Sequence, residues 1–249
     1  MEALARTFPP RQERTYLRLK IHSTPGQPSR ANAPCSAQMG SANPTCSSAT
    51  ANSYSLQLNT QPFATSTCSA SPNKTQCAGW QQFVYSPSAG GSIQYWLLEY
   101  GPAGTACPVA RSAHCEPFSE SDGWCPVSFS PGSDVYCVVN AAASAPAPAE
   151  PITSLPGLSV TGAVAGVNGA NDSIAVTTDN TVNQAPGNNY FPDPGSQWQE
   201  AEFNVFGDGN ADQAVFNTGA MVVVRTALDS GTTSPPPVTS NPIPGSLTT

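Results

Sequence analysis

Ser92-Ile93-Gln94-Tyr95-Trp96-Leu97-Leu98-Glu99-Tyr100 is the stretch on which the reading of this chain turns. It is rich in aromatic and branched residues and has no helical spacing. A strand sends successive side chains to opposite faces. Gln94, Trp96 and Leu98 therefore share one face, and Ile93, Tyr95, Leu97 and Glu99 share the other. Gly79-Trp80-Gln81-Gln82-Phe83-Val84-Tyr85 has the same texture, and the Ser-Pro-Ser-Ala-Gly-Gly segment between the two predicts a hairpin.

The same alternation recurs along the chain. Strands are expected at 53–58, 134–140, 158–167, 173–178, 199–206, 213–217 and 220–227. No window of about a dozen residues holds a helical period. Each half of the chain has too few strands to close on itself, so the expected fold is all-β: one antiparallel two-sheet sandwich whose halves share a core. It is expected over residues 53–229, with a Cys-, Pro- and Gly-rich excursion at 101–137. Residues 141–151 read as a Pro/Ala connector of extended type. Residues 31–52 read as a Cys-containing loop, and 230–249 as a disordered Thr/Ser/Pro tail. Residues 1–30 are polar and basic and are expected to lie outside the fold, as a disordered segment or a leader from a misplaced start.

Charge excludes several partners. The chain carries a formal net charge of −7, but six of its nine basic residues lie before position 31. From there on, Lys74, Arg111 and Arg225 face fourteen acidic residues, a formal net of −11. No basic groove for nucleic acid and no patch for an anionic membrane is expected. No apolar run of roughly 18 residues is present to span a bilayer.

Eight cysteines fall between residues 35 and 137, with no C-x-x-C pair and only two histidines in the chain. That pattern predicts disulfides and secretion to an oxidising, extracellular compartment. Spacing suggests two local clips, Cys35–Cys46 and Cys68–Cys77; the pairing among Cys107, Cys115, Cys125 and Cys137 stays open. Asn73-Lys74-Thr75 and Asn171-Asp172-Ser173 are glycosylation sequons, relevant only in a eukaryotic secretory route.

The scarcity of His leaves carboxylates and amides as the chemical groups. There is no nucleophile elbow, P-loop or dinucleotide fingerprint. Gln199-Glu200-Ala201-Glu202-Phe203-Asn204-Val205-Phe206 puts Glu200, Glu202 and Asn204 on one face. Trp80, Gln82, Tyr95, Trp96 and Asn204 are candidate substrate-lining residues. Glu200 and Glu202 lack the spacing of a paired-carboxylate glycosidase strand. Asp208, Asn210 and Asp212 form a weak calcium-loop pattern, with Gln213 where the loop's Gly belongs. No cofactor is expected.

The apolar-Gln context of Ile93-Gln94 and the Ala-Glu-aromatic run Ala201-Glu202-Phe203 resemble the glutamic peptidase (eqolisin) family; a looser resemblance is to neprosin-type peptidases. Gln precedes Glu by about a hundred residues, as in that family. Two features depart from the pattern: Tyr95-Trp96 follows the Gln where small residues are usual, and 101–137 has no counterpart. The resemblance implies a concanavalin-like jelly roll with Gln94 and Glu202 as a catalytic dyad acting on a polypeptide, in a monomer. The alternative from a different class is a non-catalytic, lectin-like module that binds a glycan or a surface partner.

Overall fold

Hydrophobic residues at every second position build two antiparallel sheets in the computed structural model. It describes residues 14–23, 55–87, 89–108, 123–148, 157–165, 172–179, 181–188, 190–191, 201–206 and 222–229. The strands are β1 Arg14–Ser23, β2 Ser55–Thr60, β3 Ala78–Ser86, β4 Gly90–Gly101, β5 Cys125–Val127 and β6 Val135–Asn140. They continue with β7 Ser159–Ala165, β8 Ser173–Thr178, β9 Thr181–Pro186, β10 Ala201–Phe206 and β11 Val222–Asp229. A short 3-10 helix, Ser66–Ala70, is the only helix among the described residues.

One sheet runs β10-β2-β3-β4-β6-β5 and the other β11-β1-β7-β8-β9. From the first, Leu56, Leu58, Phe83, Tyr85, Ile93, Leu97 and Val139 point inward; from the second come Val160, Val164, Ile174 and Val176. All are almost fully buried and belong to one hydrophobic cluster. Burying side chains of this size is worth about 1.5–3 kcal/mol each before entropy is counted. Gly162 of β7 sits against the Phe83 ring, where a Cβ would overlap the ring atoms, so glycine sets how closely the strands approach there.

Cys68 and Cys77 form the expected clip, with Cα atoms 5.7 Å apart, just ahead of β3. Cys107 pairs with Cys137, closing a 30-residue separation and tying the excursion after β4 to the inner face of β6. Cys125 is also disulfide-bonded. Cross-links over loops of this length contribute on the order of 3 kcal/mol each, chiefly by restricting the unfolded chain. Cys35 and Cys46 lie outside the described residues.

The structure adds to and changes these expectations. Residues 14–23, set aside with the basic leader, form β1 between β11 and β7. The reason is a strict period of two: Leu17, Leu19 and Ile21 alternate with Arg18, Lys20 and His22. Net charge hid this alternation of apolar and basic residues in the sequence. The Pro/Ala connector packs against the first sheet where it is described. Over 141–148, Ala145 bridges Gly91 and is fully buried, and the Tyr85 hydroxyl donates to the Pro148 carbonyl at 3.0 Å. Strand β9 has no apolar run to mark it in the sequence; it is an edge strand, where Pro186 and the exposed Val182 are tolerated.

Gly162→Ala should destabilise the fold by roughly 1–3 kcal/mol, because Phe83 is fully buried and has nowhere to move. Urea unfolding followed by tryptophan fluorescence measures it.

Candidate functional site

The face of β3 opposite the core carries Trp80, Gln82 and Val84. Cross-strand pairing extends each of these into a row. Gln82 stands opposite Gln94 on β4, and Gln94 opposite Asn140 on β6. On the other side Gln82 stands opposite Asn59 on β2, and Asn59 opposite Glu202 on β10. Residues directly opposite one another in antiparallel strands lie on the same face. The register therefore lines up Glu202, Asn59, Gln82, Gln94 and Asn140 across five adjacent strands. A neighbouring row holds Asn204, Gln57, Val84 and Ser92.

Within these rows the Gln82 side-chain amide donates to Gln57 Oε1 at 2.9 Å. Asn59 is fully buried, and neither Nδ2 nor Oδ1 has a hydrogen-bond partner among the described residues. Asn140 Oδ1 is likewise buried and unpartnered among them. An unsatisfied buried amide atom costs about 1–3 kcal/mol.

The next row begins a second, smaller hydrophobic cluster. Trp80 opposes Trp96, with ring centroids 6.5 Å apart. Trp96 is 6% exposed and stacks on Phe129 at 6.4 Å, and Phe129 meets Tyr136 edge-on at 4.8 Å. Trp80 Nε1 donates to the Thr60 carbonyl at 2.7 Å. Beyond this cluster β4 has a register irregularity between Leu97 and Gly101, and within it Glu99 adopts φ +47°, a left-handed value uncommon for glutamate. Burial, with Glu99 and Asp134 adding negative charge, pushes the Tyr136 phenol above its ordinary range.

Most candidate residues named from the sequence share this outer face. Gln94, Glu202 and Gln82 stand in one row, Asn204 in the adjoining row, and Trp80 and Trp96 in the row on the other side. Tyr95 does not. It is fully buried on the inner face, packed edge-on against Tyr190 at 5.1 Å and Phe191 at 5.7 Å. The alternation that brings Gln94 out necessarily turns Tyr95 in. Asp208, Asn210 and Asp212 lie outside the described residues. Among the described residues no group of three or more His, Cys, Asp or Glu gathers as a metal site.

Tyr95 instead belongs to a buried polar network that the sequence did not reveal. Asp172, fully buried just before β8, accepts from Gln81 Nε2 at 2.9 Å and from the Tyr95 hydroxyl at 3.3 Å. The Asn188 backbone N–H donates to the Tyr95 oxygen at 3.2 Å, and the Gly187 N–H to the Asp172 carbonyl at 2.6 Å. This carboxylate of one sheet thus holds two side chains of the other. Gln81 and Tyr95 are themselves a cross-strand pair, one residue along from the Gln82–Gln94 pair. The only local sign of Asp172 in the sequence is its place inside a sequon. Asn59 had a better signal, as the continuation of the period Ser55, Gln57, Asn59.

No protein-family model, curated protein or solved structure matches this chain.

Asp172→Ala should cost roughly 2–4 kcal/mol, since it strands the Gln81 amide and the Tyr95 hydroxyl in the core. A urea midpoint close to that of the wild type would show that the network does not hold the sheets.

Proposed function

We propose that this chain is a secreted endopeptidase that acts in mild acid, built on a jelly-roll sandwich of the concanavalin kind. The observation that carries the reading is the register itself: Gln94 and Glu202 occupy one row on one face, with only carboxamides between them. Disulfides support an oxidising, extracellular setting. Among the described residues no helix is long and apolar enough to cross a membrane.

Glu202 is the general base. Its carboxylate takes a proton from a water molecule as the water oxygen bonds to the scissile carbonyl carbon. The oxyanion that forms accepts a hydrogen bond from the Gln94 carboxamide. The proton then passes to the amide nitrogen as the C–N bond breaks, and the carboxylate is restored. A single carboxylate can serve both halves of this cycle, first as base and then as acid.

The register also constrains the geometry. Gln94 and Glu202 are separated by three strand spacings, about 14 Å along a flat sheet. They are not a directly hydrogen-bonded pair. The mechanism requires the water and the scissile peptide to bridge that gap. The glycan-binding alternative has less support, because Trp96 is enclosed in its own cluster and offers no free ring face for a sugar.

Glu202→Gln and Gln94→Ala should each lower cleavage of a denatured protein at about pH 3–4 by a hundredfold or more, with circular dichroism unchanged. Either variant cleaving at the wild-type rate, or a folded wild-type protein that cleaves nothing, overturns the proposal.

A further inference from the structure

The two glycosylation sequons play no part in the proposed chemistry, and the fold treats them differently. Asn73-Lys74-Thr75 lies in a turn inside the Cys68–Cys77 loop, between the 3-10 helix and β3. The Asn73 main chain shapes this turn. Its carbonyl accepts from the Gln76 and Cys77 N–H groups at 2.9 and 2.8 Å, and its N–H donates to Ser71 Oγ at 2.9 Å. The buried Ser71 hydroxyl in turn donates to the Tyr100 carbonyl, which anchors the turn to β4. None of these bonds uses the Asn73 carboxamide. Pro72, Lys74, Thr75 and Gln76 are exposed, and Asn73 is half-buried. The second sequon, Asn171-Asp172-Ser173, is drawn into the fold. Asp172 is fully buried, and Ser173 stands opposite Ala163 on β7 and Pro186 on β9. Asn171 itself lies outside the described residues.

We infer that Asn73 is a modification site and carries an N-linked oligosaccharide in the exported protein. The co-reactant is an oligosaccharide joined through a diphosphate to a polyisoprenoid lipid. Asn73 Nδ2 bonds to the anomeric carbon of the first sugar as that carbon's bond to the diphosphate oxygen breaks. The lipid diphosphate leaves with the electron pair. The amide loses one proton and keeps one N–H, and nothing is oxidised or reduced. A bulky, solvated substituent needs open surface around it. The turn supplies that surface, since the residues on both sides of Asn73 are exposed. The Cys68–Cys77 bridge closes the loop over a separation of nine residues, so the turn forms without help from distant strands. At the second sequon the chain enters the core directly after Asn171, and that asparagine is expected to stay unmodified. The inference does not depend on the peptide-cleaving reading. It depends on passage through a eukaryotic secretory route, with which the disulfides agree.

Peptide mapping after digestion with an N-glycosidase reads the site directly. That enzyme releases the sugar and converts the asparagine that carried it to aspartate. It is applied to the protein from its natural source and to the full chain secreted by a yeast. Conversion at position 73, with asparagine retained at position 171, is the expected result in both. In the yeast-secreted protein, Asn73→Gln and Thr75→Ala should each abolish the electrophoretic shift that the glycosidase causes in the wild type. Thr75→Ser restores a sequon and should keep the shift. After deglycosylation all three variants should melt with the wild type, because the turn is held by main-chain bonds. Protein from the natural source without sugar at Asn73 overturns the inference, whatever the yeast adds. Sugar on Asn171 in place of Asn73 overturns it, and so does a Thr75→Ala variant that keeps the full shift.

Discussion

Strands β3 and β4 pair so that Gln81 meets Tyr95 on one face and Gln82 meets Gln94 on the other. A slip of one residue would exchange the faces, putting Phe83, Tyr85 and Ile93 outside and the carboxamides into the core. Several features hold the register. Phe83 and Ile93 are fully buried in the main cluster, and Asp172 grips Gln81 and Tyr95. The bridge between Gly91 and Ala145 pins the hairpin end of β4. The outer row follows from these inner contacts, because a rigid pleat transmits position from one face to the other.

The polar network beneath the row has a cost as well as a use. A carboxylate taken fully out of water is unfavourable unless it is well bonded, and Asp172 meets that condition through donors from the opposite sheet. An apolar residue there could fill space, but it could not orient Gln81 and Tyr95. Their backbones are continuous with Gln82 and Gln94. The interior carboxylate is thus a positioning element for the outer face, though it never reaches it. The Cys107–Cys137 bridge adds to this by fixing β6, the strand that brings Asn140 into the row.

On the outer face the division is between a dry end and an amide-rich end. Trp80, Trp96, Val138 and Phe129 cover the dry end and stiffen the sheet edge near the Glu99 irregularity. The carboxamides beside it are neutral, can donate and accept, and are partly unsatisfied. The register sets Glu202 of β10 at one end of this row.

Period-two patterning alone determined the β class, the positions of β3, β4, β6, β8 and β10 to within a few residues, and the grouping of Gln94 apart from Tyr95. Cysteine spacing determined the Cys68–Cys77 clip. These are local properties, fixed by backbone geometry and short chain separations. The sequence also carried the alternation of β1, but charge composition obscured it, since composition averages over the two faces that a strand keeps apart. Only the tertiary structure decided the rest. It paired Cys107 with Cys137, set Asp172 beneath Gln81 and Tyr95, and aligned Asn59 and Asn140 with Gln94 and Glu202. Those relations depend on which strands become neighbours and in what register. That is settled by how the inner faces pack and by the need to pair every backbone amide, terms that no single segment contains.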